Sequence, residues 1–225
     1  MFDRHGITTN RSATLHSDKL KTGLRLSNAF SIQCLFHGSS DVSKKWPFEL
    51  LCTPAAPDSF AQSRKREFLL GRCCAAKALY ELGCPIERRL FEVADDRLPV
   101  WPKGWIGNIS HSSAGAVAIV CKSNAASSLG VDMYWMQELP SDLNVFQFVA
   151  SRGEYAMVDE LPLSQRGVLI FSAKEALYKA LYPSVRQVLD FDAARVSAFS
   201  NSTITLKLSR SWNCNFENNR EFVVR

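Results

Sequence analysis

The stretch at residues 171–180, FSAKEALYKA, leaves this chain few structural options. Apolar residues recur there at helical spacing: Ile170, Ala173, Leu177, Ala180 and Leu181 fall on one face, which must turn inward. Glu175 and Lys179 lie on the opposite side, one turn apart and therefore adjacent, with Lys174 and Tyr178 at the boundary. A solvated Glu–Lys pair of this kind adds only about 0.2–0.5 kcal/mol to a helix. Packing of the apolar face contributes more, so this helix is expected to be a core element.

A second segment, SSLGVDM, ends at Met133. Small residues there make a turn that runs into a short apolar strand carrying Asp132. A carboxylate inside a buried strand needs hydrogen bonds, a cation or a metal. Glu175 is the companion acid, and two converging carboxylates with water make a hard-oxygen site suited to Mg²⁺. A third segment, residues 107–113 (GNISHSS), supplies polar groups for an anion. It leads into residues 114–121, AGAVAIVC, a run of strand length that reads as buried on both faces. His111 is either a core histidine or an anion ligand, and the flanking serines with a basic segment upstream favour the anion.

The 225 residues permit one large domain or two small ones, and a composition of 46% hydrophobic and 22% charged residues is that of a globular chain. No apolar run approaches the roughly 20 residues needed to span a bilayer. The first twenty residues hold no continuous apolar segment, so no secretory leader and a cytoplasmic location are expected. The seven cysteines include no CxxC pair, which points to reduced thiols rather than a disulfide framework. A net charge of +5 suits nucleic acid, an anionic cofactor or an acidic protein equally, but no nucleic-acid motif accompanies it.

Taken in order, residues 29–36 read as a first strand. A long helix is expected from Asp58 or Ser59, as N-cap, to Leu82, with Gly83 as its stop. Its inner positions include Phe60, Phe68, Leu69, Ala75, Ala76 and Leu79, and its basic cluster comprises Arg64, Lys65, Arg66 and Arg72. Arg64 and Arg72 are two turns apart and share a face that can meet phosphate. Residues 94–104 read as a loop containing Arg97 and Trp101; Trp101 and Trp105 are core anchors or line an adenine site. Residues 122–128 are the candidate linker. Beyond it lie a strand at 129–133, a capping box at Ser151 and Glu154, a break at Pro162, and a hairpin of 196–199 with 203–208.

Three of these segments, WPKGWIGNISHS, GVD and FSAKEALYKA, in this order, resemble the 4′-phosphopantetheinyl transferases, in particular the siderophore-associated branch of the enterobactin type. The resemblance runs from about residue 64 to residue 179. It implies an α/β fold of two similar α/β halves packed as a pseudo-dimer, residues 1–122 and 123–225, and a monomer, since two fused halves already build the site. It further implies Mg²⁺-dependent transfer of the phosphopantetheine arm from coenzyme A to a serine on carrier-protein domains of non-ribosomal peptide synthetases. Carried over residue by residue, Asp132 and Glu175 hold the metal, Glu175 serves as or orients the base, and Lys179 neutralises phosphate charge. Arg64, Arg72, Arg97, Ser110, His111, Lys174 and Lys179 then contact coenzyme A. Many members carry a third acid where this chain has Tyr134, and a neutral phenol is a poor Mg²⁺ ligand. A coenzyme A-binding protein with weakened catalysis is the alternative reading.

Overall fold

In a computed structural model of the protein, the residues described are 8–9, 29–36, 60–85, 94, 98–135, 143–200 and 203–225. In chain order they form β1 (Thr8–Thr9), β2 (Phe30–Phe36), α1 (Gln62–Glu81), β3 (Trp105–Ser112), β4 (Gly115–Lys122), β5 (Val131–Asp132), α2 (Arg152–Ala156), α3 (Leu163–Val185), β6 (Ala194–Ser200), β7 (Thr203–Leu208) and β8 (Glu221–Val224). Short 3₁₀ helices lie at Leu143–Phe148 and Phe191–Ala193. The expected mixed class of helix and sheet is the one observed. The chain parts into two compact units, Thr14–Leu129 and a second formed by Met1–Ala13 with Gly130–Arg225. This cut falls later than 122/123, and a short N-terminal piece goes with the C-terminal unit, where β1 pairs in parallel with β5. Two-residue strands carry no periodicity, so nothing in the sequence marks that pairing.

The first unit is a three-stranded antiparallel sheet, ordered β2–β4–β3, with α1 packed on it. Strand β4 is central and buried from Gly115 to Cys121, as its unbroken apolar run requires. The alanines Ala116 and Ala118 let α1 approach closely, and Cys74, Ala75, Ala78 and Leu79 fill the gap. Helix α1 has Ala61 as its N-cap, without a side-chain cap; the expected caps Asp58 and Ser59 lie outside the described residues, and the helix ends before Gly83, at φ +77°. Leu69, expected inside, is 38% exposed, and both Cys73 and Cys74 are buried. Burial pushes the Cys34 thiol up to about 12 and those of Cys73 and Cys121 up to about 11, which keeps them inert. Residues 105–112 form a regular strand; alternating polar side chains hid it from the apolar pattern. Trp105 is buried in this core and Trp101 packs against it, the core alternative for both.

The second unit sets α3 against the antiparallel sheet β6–β7–β8. Ile170, Ala173, Leu177, Ala180 and Leu181 are all buried, together with Val196, Ile204, Leu206, Leu208 and Val224. The expected hairpin is β6 with β7, and the capping box at α2 is complete: Ser151 Oγ accepts from Glu154 N, and Glu154 accepts from Ser151 N at 2.8 Å. The segment that enters β5 also lies along α3 at very short range. A Cβ on Gly130 would stand 1.9 Å from the Ala176 carbonyl oxygen and 3.0 Å from Ala180 Cβ. Only glycine allows β5 to sit there, two residues before Asp132. Gly130→Ala is therefore expected to lower stability by about 1–3 kcal/mol; an unchanged urea midpoint would show that the strand can lift off the helix freely.

Candidate active site

Strand β5 ends at Asp132, and α3 presents Ser172, Glu175 and Lys179 at spacings of three and four residues, along one stripe of the helix. Asp132 is buried, and its two oxygens face two different partners. Ser172 Oγ donates to Oδ2 at 2.8 Å, and Lys179 Nζ donates to Oδ1 at 2.5 Å and to the Val131 carbonyl at 3.4 Å. Glu175 makes no hydrogen bond or ion pair with another described residue. Burial raises its pKa above the ordinary carboxylate value; Lys179 opposes that shift and the charge of Asp132 adds to it. The carboxylates expected to converge therefore lie within electrostatic reach of each other. Ser172 went unnoticed in the sequence, since a lone serine beside an apolar stripe carries no signal.

Lys174 is placed differently from the expectation that it contacts coenzyme A. It is buried, and its ammonium has three donors and three acceptors: Glu154 Oε1, the Val149 carbonyl and the Phe191 carbonyl, each at 2.8 Å. With all donors satisfied inside the unit, none is left to reach a phosphate. Glu154 is correspondingly more than a cap, since its Oε1 also accepts from Val196 N at 3.1 Å. Tyr134 lies beyond the end of β5, so strand alternation does not aim it alongside Asp132. Its ring packs edge-on to Phe171 at 5.9 Å, against the apolar core. Among the described residues no group of three or more His, Cys, Asp or Glu side chains is arranged to hold a metal. Beside Glu175, a pocket within this unit is walled by Tyr178, Leu181, Leu189, Phe191 and Leu208.

In the other unit, α1 crosses β3 so closely that a Cβ on Gly71 would stand 2.7 Å from Ile109 Cγ2. Ile109 and His111 thus face the helix, and Ser110, between them, is buried on the opposite face. Arg64 Nη1 contacts both ring nitrogens of His111, at 3.1 Å from Nδ1 and closer at Nε2. Glu67 Oε2 completes the cluster, 3.1 Å from Arg64 Nη1 and 3.3 Å from His111 Nδ1. Arg72 does not share the solvent face of Arg64: it is 4% exposed, its guanidinium lies over the Phe68 ring, and desolvation lowers its pKa to about 10. Arg97 lies outside the described residues.

The described residues thus place an Asp132–Lys179 pair beside a second carboxylate in one unit and an Arg–His–Glu cluster in the other. Comparison with known proteins identifies the class. The family model described as 4′-phosphopantetheinyl transferase N-terminal domain matches residues 56–121, and that of the 4′-phosphopantetheinyl transferase superfamily matches residues 128–224. The chain is 30% identical to 4′-phosphopantetheinyl transferase Npt of Nocardia iowensis, over 68% of this chain and 69% of that protein. It is 30% identical to enterobactin synthase component D of Salmonella typhi, over 67% of this chain and 62% of the relative. To 4′-phosphopantetheinyl transferase PptT of Mycobacterium tuberculosis it is 33% identical, over 62% and 61%. The chain thus spans about three-fifths of the length of these last two relatives. It belongs to the 4′-phosphopantetheinyl transferase superfamily. No described helix is long and apolar enough to cross a membrane.

Proposed function

We propose that this protein transfers the 4′-phosphopantetheine group of coenzyme A to a serine of a carrier protein, in the presence of Mg²⁺, releasing adenosine 3′,5′-bisphosphate. The observation that carries this reading is the pairing of Lys179 with Asp132, with Glu175 in electrostatic reach of both, in a chain of this superfamily. The oxygen-only donors Asp132 and Glu175 fit a hard divalent ion; burial chiefly raises the pKa of Glu175, Lys179 opposes the shift, and the charge of Asp132 adds to it. Bound there, Mg²⁺ would stabilise charge on the diphosphate oxygens.

The carrier's serine oxygen attacks the phosphorus that bears the pantetheine arm, and the bond to the adenosine bisphosphate oxygen breaks. Glu175, its proton affinity raised by burial, takes the serine proton directly or through one water. Lys179 supplies positive charge where the leaving phosphate gains negative charge. Arg64 and His111 are assigned to the 3′-phosphate end, where they bind and orient. A siderophore synthetase is the proposed source of the carrier, a reading supported by the relative named enterobactin synthase component D. A cytoplasmic monomer acting without nucleic acid completes the proposal.

The test is intact-mass measurement of apo carrier proteins incubated with the enzyme, coenzyme A and Mg²⁺. A gain of one phosphopantetheine group on a serine, abolished by chelator, is expected, with peptidyl and aryl carriers of siderophore synthetases modified faster than a fatty-acid carrier. No mass gain on any carrier class would overturn the activity, and a preference for the fatty-acid carrier would overturn the siderophore assignment alone.

A further inference from the structure

We infer that Glu67 on α1 is a positioning residue that pre-orders Arg64 and His111 for a phosphate; the inference rests on the assignment of those two side chains to the nucleotide end. Glu67 was not singled out by the sequence, where it reads as one acid among the basic residues of a helix. An acid beside an anion site opposes binding by charge, so any favourable role must come from geometry. Glu67 Oε2 touches Arg64 on its own helix and His111 on β3, one oxygen serving two donors from two elements.

The donors fix the chemistry of the cluster. An ionised carboxylate only accepts, so His111 Nδ1 carries its hydrogen toward Glu67. Arginine only donates, so Nε2, the ring nitrogen nearest Arg64 Nη1, is the acceptor. A closed three-membered cluster results, in which Glu67 sets the tautomer and the ring orientation of His111. The same contacts occupy Nη1 of Arg64 and leave its Nε and Nη2 without a hydrogen bond to any described residue. That free edge is the side of the guanidinium that meets a phosphate with two parallel N–H bonds. Arg64 is 47% exposed and Glu67 only 22%, so the more buried acid anchors the more exposed base. A flexible arginine immobilised before the ligand arrives loses less entropy when it binds.

The experiment measures adenosine 3′,5′-bisphosphate binding by calorimetry, and coenzyme A kinetics, for the full chain and for Glu67→Ala, Glu67→Gln, His111→Ala and the Glu67→Ala/His111→Ala pair. Glu67→Ala is expected to raise both Kd and KM about tenfold while kcat stays within about twofold. Glu67→Gln keeps an acceptor oxygen and should raise them only about threefold, which also serves if the alanine variant folds poorly. The double variant should be no weaker than about twofold below the worse single one, because both act through one cluster. Unchanged or tighter binding in Glu67→Ala, or effects that multiply in full, would overturn the positioning role. If His111→Ala itself binds the bisphosphate as the parent does, the nucleotide assignment falls, and the role of Glu67 with it.

Discussion

Lys174→Met should destabilise the protein by about 3–5 kcal/mol, the largest stability effect expected of any single change near the candidate site. The ammonium and the Glu154 carboxylate are 5% and 7% exposed and 2.8 Å apart. Removing the cation leaves Glu154 buried with only backbone and hydroxyl donors, and leaves the Val149 and Phe191 carbonyls without their shared donor. Burial raises the Glu154 pKa, but the hydrogen bond and charge of Lys174, with the Ser151 and Val196 amides, outweigh it and hold the group below its ordinary value of 4.5. A depressed folded pKa means that the stabilisation is fully present above 4.5 and is lost as the pH falls through the lower folded value. The methionine variant should therefore show a flatter acid limb as well as a lower urea midpoint. Replacing both partners, as Glu154→Gln with Lys174→Met, should recover part of the loss, because no unpaired charge then remains buried. A stable Lys174→Met protein with a raised KM for coenzyme A would instead mean that the ammonium leaves its pocket to reach the ligand.

The largest effect on turnover is expected at the two acids. Asp132→Asn and Glu175→Gln should each reduce carrier modification by about a thousandfold or more, while moving the thermal midpoint little. The amide substitutions keep the shape: an asparagine oxygen still accepts from Ser172, and Lys179, at 25% side-chain exposure, is solvated when its ion pair is lost. Glu175 has no described hydrogen-bond partner to lose, and burial already disfavours its charged form, so its neutral replacement is structurally mild. Initial rates by intact mass, at several Mg²⁺ concentrations, with a melt of each variant, decide the matter. Near-normal turnover in either variant would remove that acid from the chemistry.

The inward face of α3 was legible because helical spacing of apolar residues leaves one solution for burial: Ile170, Ala173, Leu177, Ala180 and Leu181 are all inside. The Ser151–Glu154 cap, the doubly buried β4 and the β6–β7 hairpin were legible for the same reason, since each is a local pattern closed within a few residues. Strand β3 was missed where polar residues broke the apolar rhythm, and β8 because four residues give too short a period.

By itself, the sequence determined the superfamily motifs, the apolar faces and the presence of Asp132, Glu175 and Lys179 in segments that must pack. Only the tertiary structure decided what each charge meets. Lys174 and Glu175 are neighbours in the chain, yet a helical step of about 100° sends one into the core against Glu154 and leaves the other beside Asp132. Asp132 in turn owes its position to Gly130, whose missing side chain lets β5 lie against the backbone of α3. Partners of this kind come from residues tens of positions away, and no local periodicity records them.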